Sequence, residues 1–208
     1  MPNIRVMLYG YDTKLLKNDS ASSIEDLGRR FLESLGTFRQ STNTQGRPII
    51  LIGHSLGGLL IKEYCCGMLF LGVPHLGLRN DALQSFVQGQ PNEALITSIV
   101  VVDDESEPSH FLARISDDFA TCFHRETRIV CFYERRQSAK VEMRDGKLSK
   151  TGGKVLMVTK KSATSTGVTG VYEDDVIPLE ADHSGLVKLE SRGQDTYLVM
   201  MQKKAEGL

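Results

Sequence analysis

Residues 48–58 read Pro48-Ile49-Ile50-Leu51-Ile52-Gly53-His54-Ser55-Leu56-Gly57-Gly58, and few folds accommodate that order. Four consecutive branched apolar side chains with no polar alternation describe a strand covered on both faces, as in a parallel sheet. Gly53 and Gly57 flank a serine, and Leu59-Leu60-Ile61 follows with the apolar character of a helix start. Strand, Gly-x-Ser-x-Gly and helix in succession form a tight turn that holds the serine in a strained conformation. The small residues on either side let strand and helix approach without clash. The extra Gly58 adds to the fit, and Ser55 is the expected apex.

The rest of the chain continues the alternation of strands and helices. Ile4-Arg5-Val6-Met7-Leu8-Tyr9 reads as a short strand. Ser22 and Glu25 offer a capping box for a helix whose apolar positions are Ile24, Leu27, Phe31, Leu32 and Leu35, with Gly36 as its stop. Met68–Leu71 is a second buried strand, 110–123 an amphipathic helix, and 128–133 and 154–159 two further strands. The polar stretch 135–153 predicts a hairpin around Asp145-Gly146. Segment 78–109, with Gly89, Pro91 and an acidic cluster, is expected to be a lid or loop insertion in a single domain spanning 1–208. Its Leu83, Phe86 and Val87, with nearby Leu76 and Leu78, suit either an acyl chain or the core. The pattern predicts an α/β-hydrolase fold, a mostly parallel sheet flanked by helices.

Charge narrows the partners. With 25 Lys and Arg against 26 Asp and Glu, the net charge is -1, so no overall basic field is available to hold nucleic acid. No apolar run of about 18 residues occurs, and Met1-Pro2-Asn3-Ile4-Arg5 lacks signal-peptide character, so no transmembrane or export segment is expected. Cys65, Cys66, Cys122 and Cys131 show no CxxC spacing and read as free thiols in a reducing compartment.

A serine hydroxyl becomes a nucleophile only when a base takes its proton and a third group orients that base; this fold orders them Ser, Asp or Glu, His. Among the downstream histidines, His75 comes too early. His183 is preferred to His110 and His124, because it lies in a loop leaving the last apolar run, Ile177-Pro178-Leu179. Glu134 ends the strand after helix 110–123 and is the first choice of acid. Asp174 and Asp175 are the alternatives. The backbone amide of Leu56 is the expected oxyanion donor. No metal or cofactor is expected.

Tyr9-Gly10-Tyr11-Asp12, Gly53–Glu63, Phe70–His75, Phe132-Tyr133-Glu134, Lys161-Ser162-Ala163 and Ala181–Gly185 together resemble fungal lipase-like serine esterase domains similar to the serine active-site-containing protein family. Such domains also stand at the N-terminus of fungal NB-ARC and ankyrin proteins. The resemblance implies a carboxylic ester or lipid acyl ester as substrate, with Ser55 as nucleophile and His183 as base. Cytoplasm is the default compartment, with mitochondrion or endoplasmic reticulum implied by the resemblance. Two departures accompany it. The chain starts after the strand and His-Gly loop that supply one oxyanion amide, so the sheet is expected to be incomplete at its N-terminal edge, with the Gly10–Tyr11 loop as candidate substitute. Only ten residues separate Gly57 from Met68, near the minimum of about 10–12 for a parallel crossover. The helix between them must be short. The rival expectation is therefore a catalytically impaired signalling or interaction module on the same scaffold, with protein partners; a small-molecule transferase using the same serine is a third reading.

Overall fold

Four parallel strands in the order β1-β2-β3-β8 organise the protein, as seen in a computed structural model that describes residues 4–62, 67–103, 106–122, 128–145, 147–168, 171–191 and 194–205. The strands are β1 (Ile50–His54), β2 (Gly67–Leu71), β3 (Ile129–Glu134) and β8 (Val176–Leu179), and all three pairings are parallel. Every residue of β3 is buried, as befits a central strand of a parallel sheet. Helices α1 (Ile24–Ser41), α2 (Leu56–Ile61) and α5 (His110–Cys122) put Leu27, Phe31, Leu59, Leu60, Leu112, Ile115 and Phe119 into one core with Met68, Phe70, Ile129 and Cys131. On the opposite face Leu69, Leu71, Val130, Phe132, Leu179 and Leu186 pack under Val199 and Met200 of α7 (Asp195–Ala205). Ile52 is 60% exposed, so cover on that face stops short of edge strand β1.

Between β2 and α5 lie α3 (Ala82–Val87) and α4 (Glu93–Thr97). Leu78, Leu83 and Val87 are buried core residues, which decides their use against an acyl cleft. Between β3 and β8 the chain makes two small antiparallel pairs, β4 (Ser138–Ala139) with β7 (Lys154–Val155) and β5 (Glu142–Arg144) with β6 (Lys147–Ser149), then α6 (Lys160–Thr164). The β5–β6 pair is the hairpin expected around Asp145, whose φ of 50° suits the turn; Gly146 lies outside the described residues.

Several local expectations are corrected. Residues 4–9 form no strand: Ile4, Val6 and Leu8 are exposed and pair with nothing among the described residues. The capping box is Ser23 with Asp26, one residue later than Ser22 with Glu25. The Ser23 hydroxyl oxygen accepts from the Asp26 amide, and the Asp26 carboxylate accepts from the Ser23 amide. Gly36 does not stop α1, which runs to Ser41 and closes with the Thr42 amide donating to the Phe38 carbonyl. Residues 154–159 do not join the main sheet. Only Lys154 and Val155 pair, and the next backbone groups are used elsewhere: the Met157 and Val158 amides donate to Glu134, and the Met157 carbonyl accepts from the Arg79 amide. Cys122 is disulfide-bonded and Cys131 is free, so the expectation of free thiols holds at Cys131 and fails at Cys122; Cys65 and Cys66 lie outside the described residues.

Candidate active site

The crossover from β1 into α2 is built by glycines. A Cβ on Gly53 would stand 2.5 Å from the Gly58 Cα, and one on Gly58 would stand 2.0 Å from Val73 Cγ2. Only glycine at both positions lets the strand, the helix and the β2 end close on one another. Ser55 between them has φ 51° and ψ -130°, a backbone region that L-residues seldom occupy. It is held there by its amide donating to the Leu71 carbonyl (3.1 Å) and its carbonyl accepting from the Gly58 amide (3.0 Å). The side chain is thereby turned out at the C-terminal end of the sheet.

Three expected residues meet at that end. The Ser55 hydroxyl donates to His183 Nε2 at 2.9 Å, and His183 Nδ1–H donates to Glu134 Oε2 at 2.7 Å. Glu134 closes β3, and its side chain is wholly buried, whereas that of His183 keeps 15% exposure. The other carboxylate oxygen accepts the amides of Met157 and Val158. Backbone donors thus satisfy a buried carboxylate and fix its second oxygen on the imidazole. Leu56, the expected oxyanion donor, opens α2; amides in the first turn of a helix have no intrahelical acceptor, so its N–H is free to point at a ligand.

The alternative acids lie elsewhere. Asp175 precedes β8 and is buried in a two-pronged pair with Arg128 (2.9 and 2.6 Å), with the Lys203 ammonium 3.5 Å away. From that level to Glu134 is four residues of strand, roughly 13 Å at about 3.3 Å each. Asp174 is exposed in the adjoining turn. His110 opens α5 and His75 is fully buried beside Phe70, so neither joins Ser55; His124 lies outside the described residues.

Residues without a sequence assignment anchor the His183 loop. His54 Nε2–H donates to the His183 carbonyl (2.9 Å), and the His183 amide donates to Ser138 Oγ (3.1 Å). Burial holds the His54 imidazole below its ordinary pKa, so it serves as a neutral donor. Gly72, at φ +56°, leaves room for the imidazole, since a Cβ there would stand 2.6 Å from Leu186 Cδ1 and 3.1 Å from His183 Nδ1. The one local signal for these roles is the histidine directly before the elbow serine. The Ser138 and Gly72 contacts join residues far apart in sequence.

Fold and site together define an α/β protein whose parallel sheet presents, at the C-terminal end of its strands, a hydrogen-bonded Ser-His-Glu chain in which Glu134 is buried and Ser55 and His183 are half-buried. The chain is similar to Protein SERAC1 of Danio rerio, at 26% identity over 218 aligned residues that take in 95% of this chain and 30% of that protein. It thus spans about a third of that relative's length. No family model and no solved structure matches it. Among the described residues no helix is long and apolar enough to cross a membrane.

Proposed function

We propose that this chain is a serine hydrolase of carboxylic esters on an α/β-hydrolase fold, with Ser55, His183 and Glu134 as its triad. The supporting observation is the pair of hydrogen bonds that joins the strained Ser55 to His183 and His183 to a carboxylate sequestered from water. As the Ser55 oxygen forms its bond to the acyl carbon, its proton passes to His183 Nε2. The carbonyl electrons move onto oxygen, and the Leu56 N–H donates a hydrogen bond to the resulting oxyanion. Collapse breaks the bond to the alkoxide, which leaves with the His183 proton. Water, activated by the same imidazole, then releases the acid and restores Ser55. Glu134 keeps the Nδ1–H tautomer and stabilises the imidazolium through both half-reactions.

Lipid acyl esters belong to the proposed substrate range, and segment 78–109 is proposed as the wall that shapes it. General hydrolase-like character is also what the similarity to SERAC1 supports. The test is active-site labelling of the purified 208-residue chain with a fluorophosphonate, with Ser55→Ala as control and circular dichroism on both. Labelling that needs Ser55 supports the reading. Folded protein that does not label refutes it and leaves the non-catalytic signalling module.

A further inference from the structure

A cavity of about 300 Å³ opens on the Leu56 side of the elbow, at the small end of the range of about 300–1,000 Å³ for ligand pockets. Its walls include Tyr9, Tyr11, Leu56, Leu95 and Ile96, with Asn92 among its polar groups. Neither Tyr11 nor the cavity has a part in the triad chemistry.

The Tyr11 ring is fixed from behind. Tyr9 packs edge-on against Phe31 of α1 at 5.1 Å, and Tyr11 stacks on Tyr9 at 6.3 Å between ring centres. This brings the Tyr11 hydroxyl oxygen to 3.5 Å from the place a Cβ would occupy on Gly57, in the first turn of α2 beside the Leu56 amide. The phenol has no hydrogen-bond partner among the described residues, although its ring is half-buried. Burial, with Tyr9 adjacent, pushes its pKa up to about 12, so it stays a proton donor at neutral pH. The hydroxyl is not among the fully buried polar atoms, so it faces the open cavity, where the acceptor of a bound ligand can take the place of water.

Resting on the hydrolase reading above, we propose that Tyr11 is a catalytic residue, its hydroxyl donating the second hydrogen bond, beside the Leu56 amide, to the ester carbonyl oxygen as it gains charge, with the acyl group held in the cavity between Tyr9, Leu95 and Ile96. A side chain then takes the place that a second backbone amide fills in other oxyanion holes. The bond forms only as the oxygen becomes tetrahedral, so its loss falls on turnover and not on binding.

Tyr11→Phe keeps the ring and its stacking and removes one oxygen. With p-nitrophenyl butyrate as probe, the variant is expected to lose about 10²–10³ in kcat, as for the loss of one oxyanion donor, with KM changed by less than threefold. Its urea midpoint is expected to equal or exceed that of the parent, because no internal hydrogen bond is broken. Tyr11→Phe at parental kcat, with Ser55→Ala inactive, overturns the assignment and leaves the hydrolase reading intact. A raised KM at unchanged kcat makes Tyr11 a cavity wall and also overturns it. A parent chain that neither labels nor turns over the ester removes both readings together.

Discussion

Glu134 is bound from two directions, and two substitutions separate what each direction does. Glu134→Gln keeps a carbonyl oxygen for the Met157 and Val158 amides but turns an NH₂ toward His183 Nδ1. Nδ1 must then accept, the imidazole proton moves to Nε2, and the Ser55 hydroxyl faces a donor in place of a base. A wrong tautomer of this kind costs a serine protease about 10⁴ in turnover, or ~5 kcal/mol of transition-state stabilisation. Stability should change little. Neutral hydrogen bonds replace charge-assisted ones at about 1 kcal/mol apiece, and the amide escapes the cost of desolvating a carboxylate. Glu134→Ala differs, because it strands both amides in the interior at about 1–3 kcal/mol each, so a loss of about 2–6 kcal/mol is expected. Ester hydrolysis and urea unfolding on the three proteins make the comparison. Turnover by Glu134→Gln above a tenth of the parent would show that Glu134 does not orient the base. An Ala variant as stable as the Gln variant would refute the accounting of the two amides.

Gly72→Ala imposes a Cβ at φ +56° and drives it toward Leu186 and the His183 ring; fluorophosphonate labelling is expected to slow at least tenfold while circular dichroism still reports a folded chain. Arg128→Met leaves the buried Asp175 with Lys203, at 3.5 Å, as its one cation among the described residues, and should cost about 3 kcal/mol in denaturant unfolding with labelling unchanged, the pair being roughly 13 Å from the site. Burial lowers Lys62, which donates to Ser116 Oγ at 2.9 Å, from 10.5 to about 7. The unfolded chain therefore binds the extra proton above pH 7, and stability should climb from pH 7 to 9 by as much as about 1.4 kcal/mol per pH unit. Above about pH 9 the buried Cys131 thiol, pushed up to about 12, opposes the rise. Lys62→Met should be more stable at pH 7 and flatten the climb, as read from urea midpoints at both pH values.

What could be read in advance follows the range of the forces involved. Met68–Leu71 was legible as a buried strand because a parallel sheet leaves no polar face, whereas Ile49–Ile52 has the same composition but ends at the sheet edge, where Ile52 is exposed and cover on both faces fails. The elbow was legible because its glycines answer to contacts within a few residues of each other or, for Gly58, to Val73 just past the end of the next strand. Residues 154–159 are as apolar as a strand, but a carboxylate twenty-odd residues earlier takes the amides of Met157 and Val158. No local pattern encodes that competition. Residues 4–9 have strand composition and lack a neighbour among the described residues, which composition cannot register. Chain order, the loop after the last apolar run and the family resemblance point to His183, and a strand end points to Glu134 with Asp174 and Asp175 left open, whereas the anchoring by His54 and Ser138 depends on how the His183 loop lies over the sheet.

The hydrogen bond from Ser55 to His183 joins residues 128 positions apart, and β8 must pair with β3 before the imidazole can arrive. Contacts of such separation form slowly, because the intervening chain must first surrender its freedom. Helices such as α1 can regain their ellipticity from local interactions long before that. A refolding chain therefore recovers its spectrum ahead of its serine, and a probe added at successive times would count the molecules in which the last strand has closed.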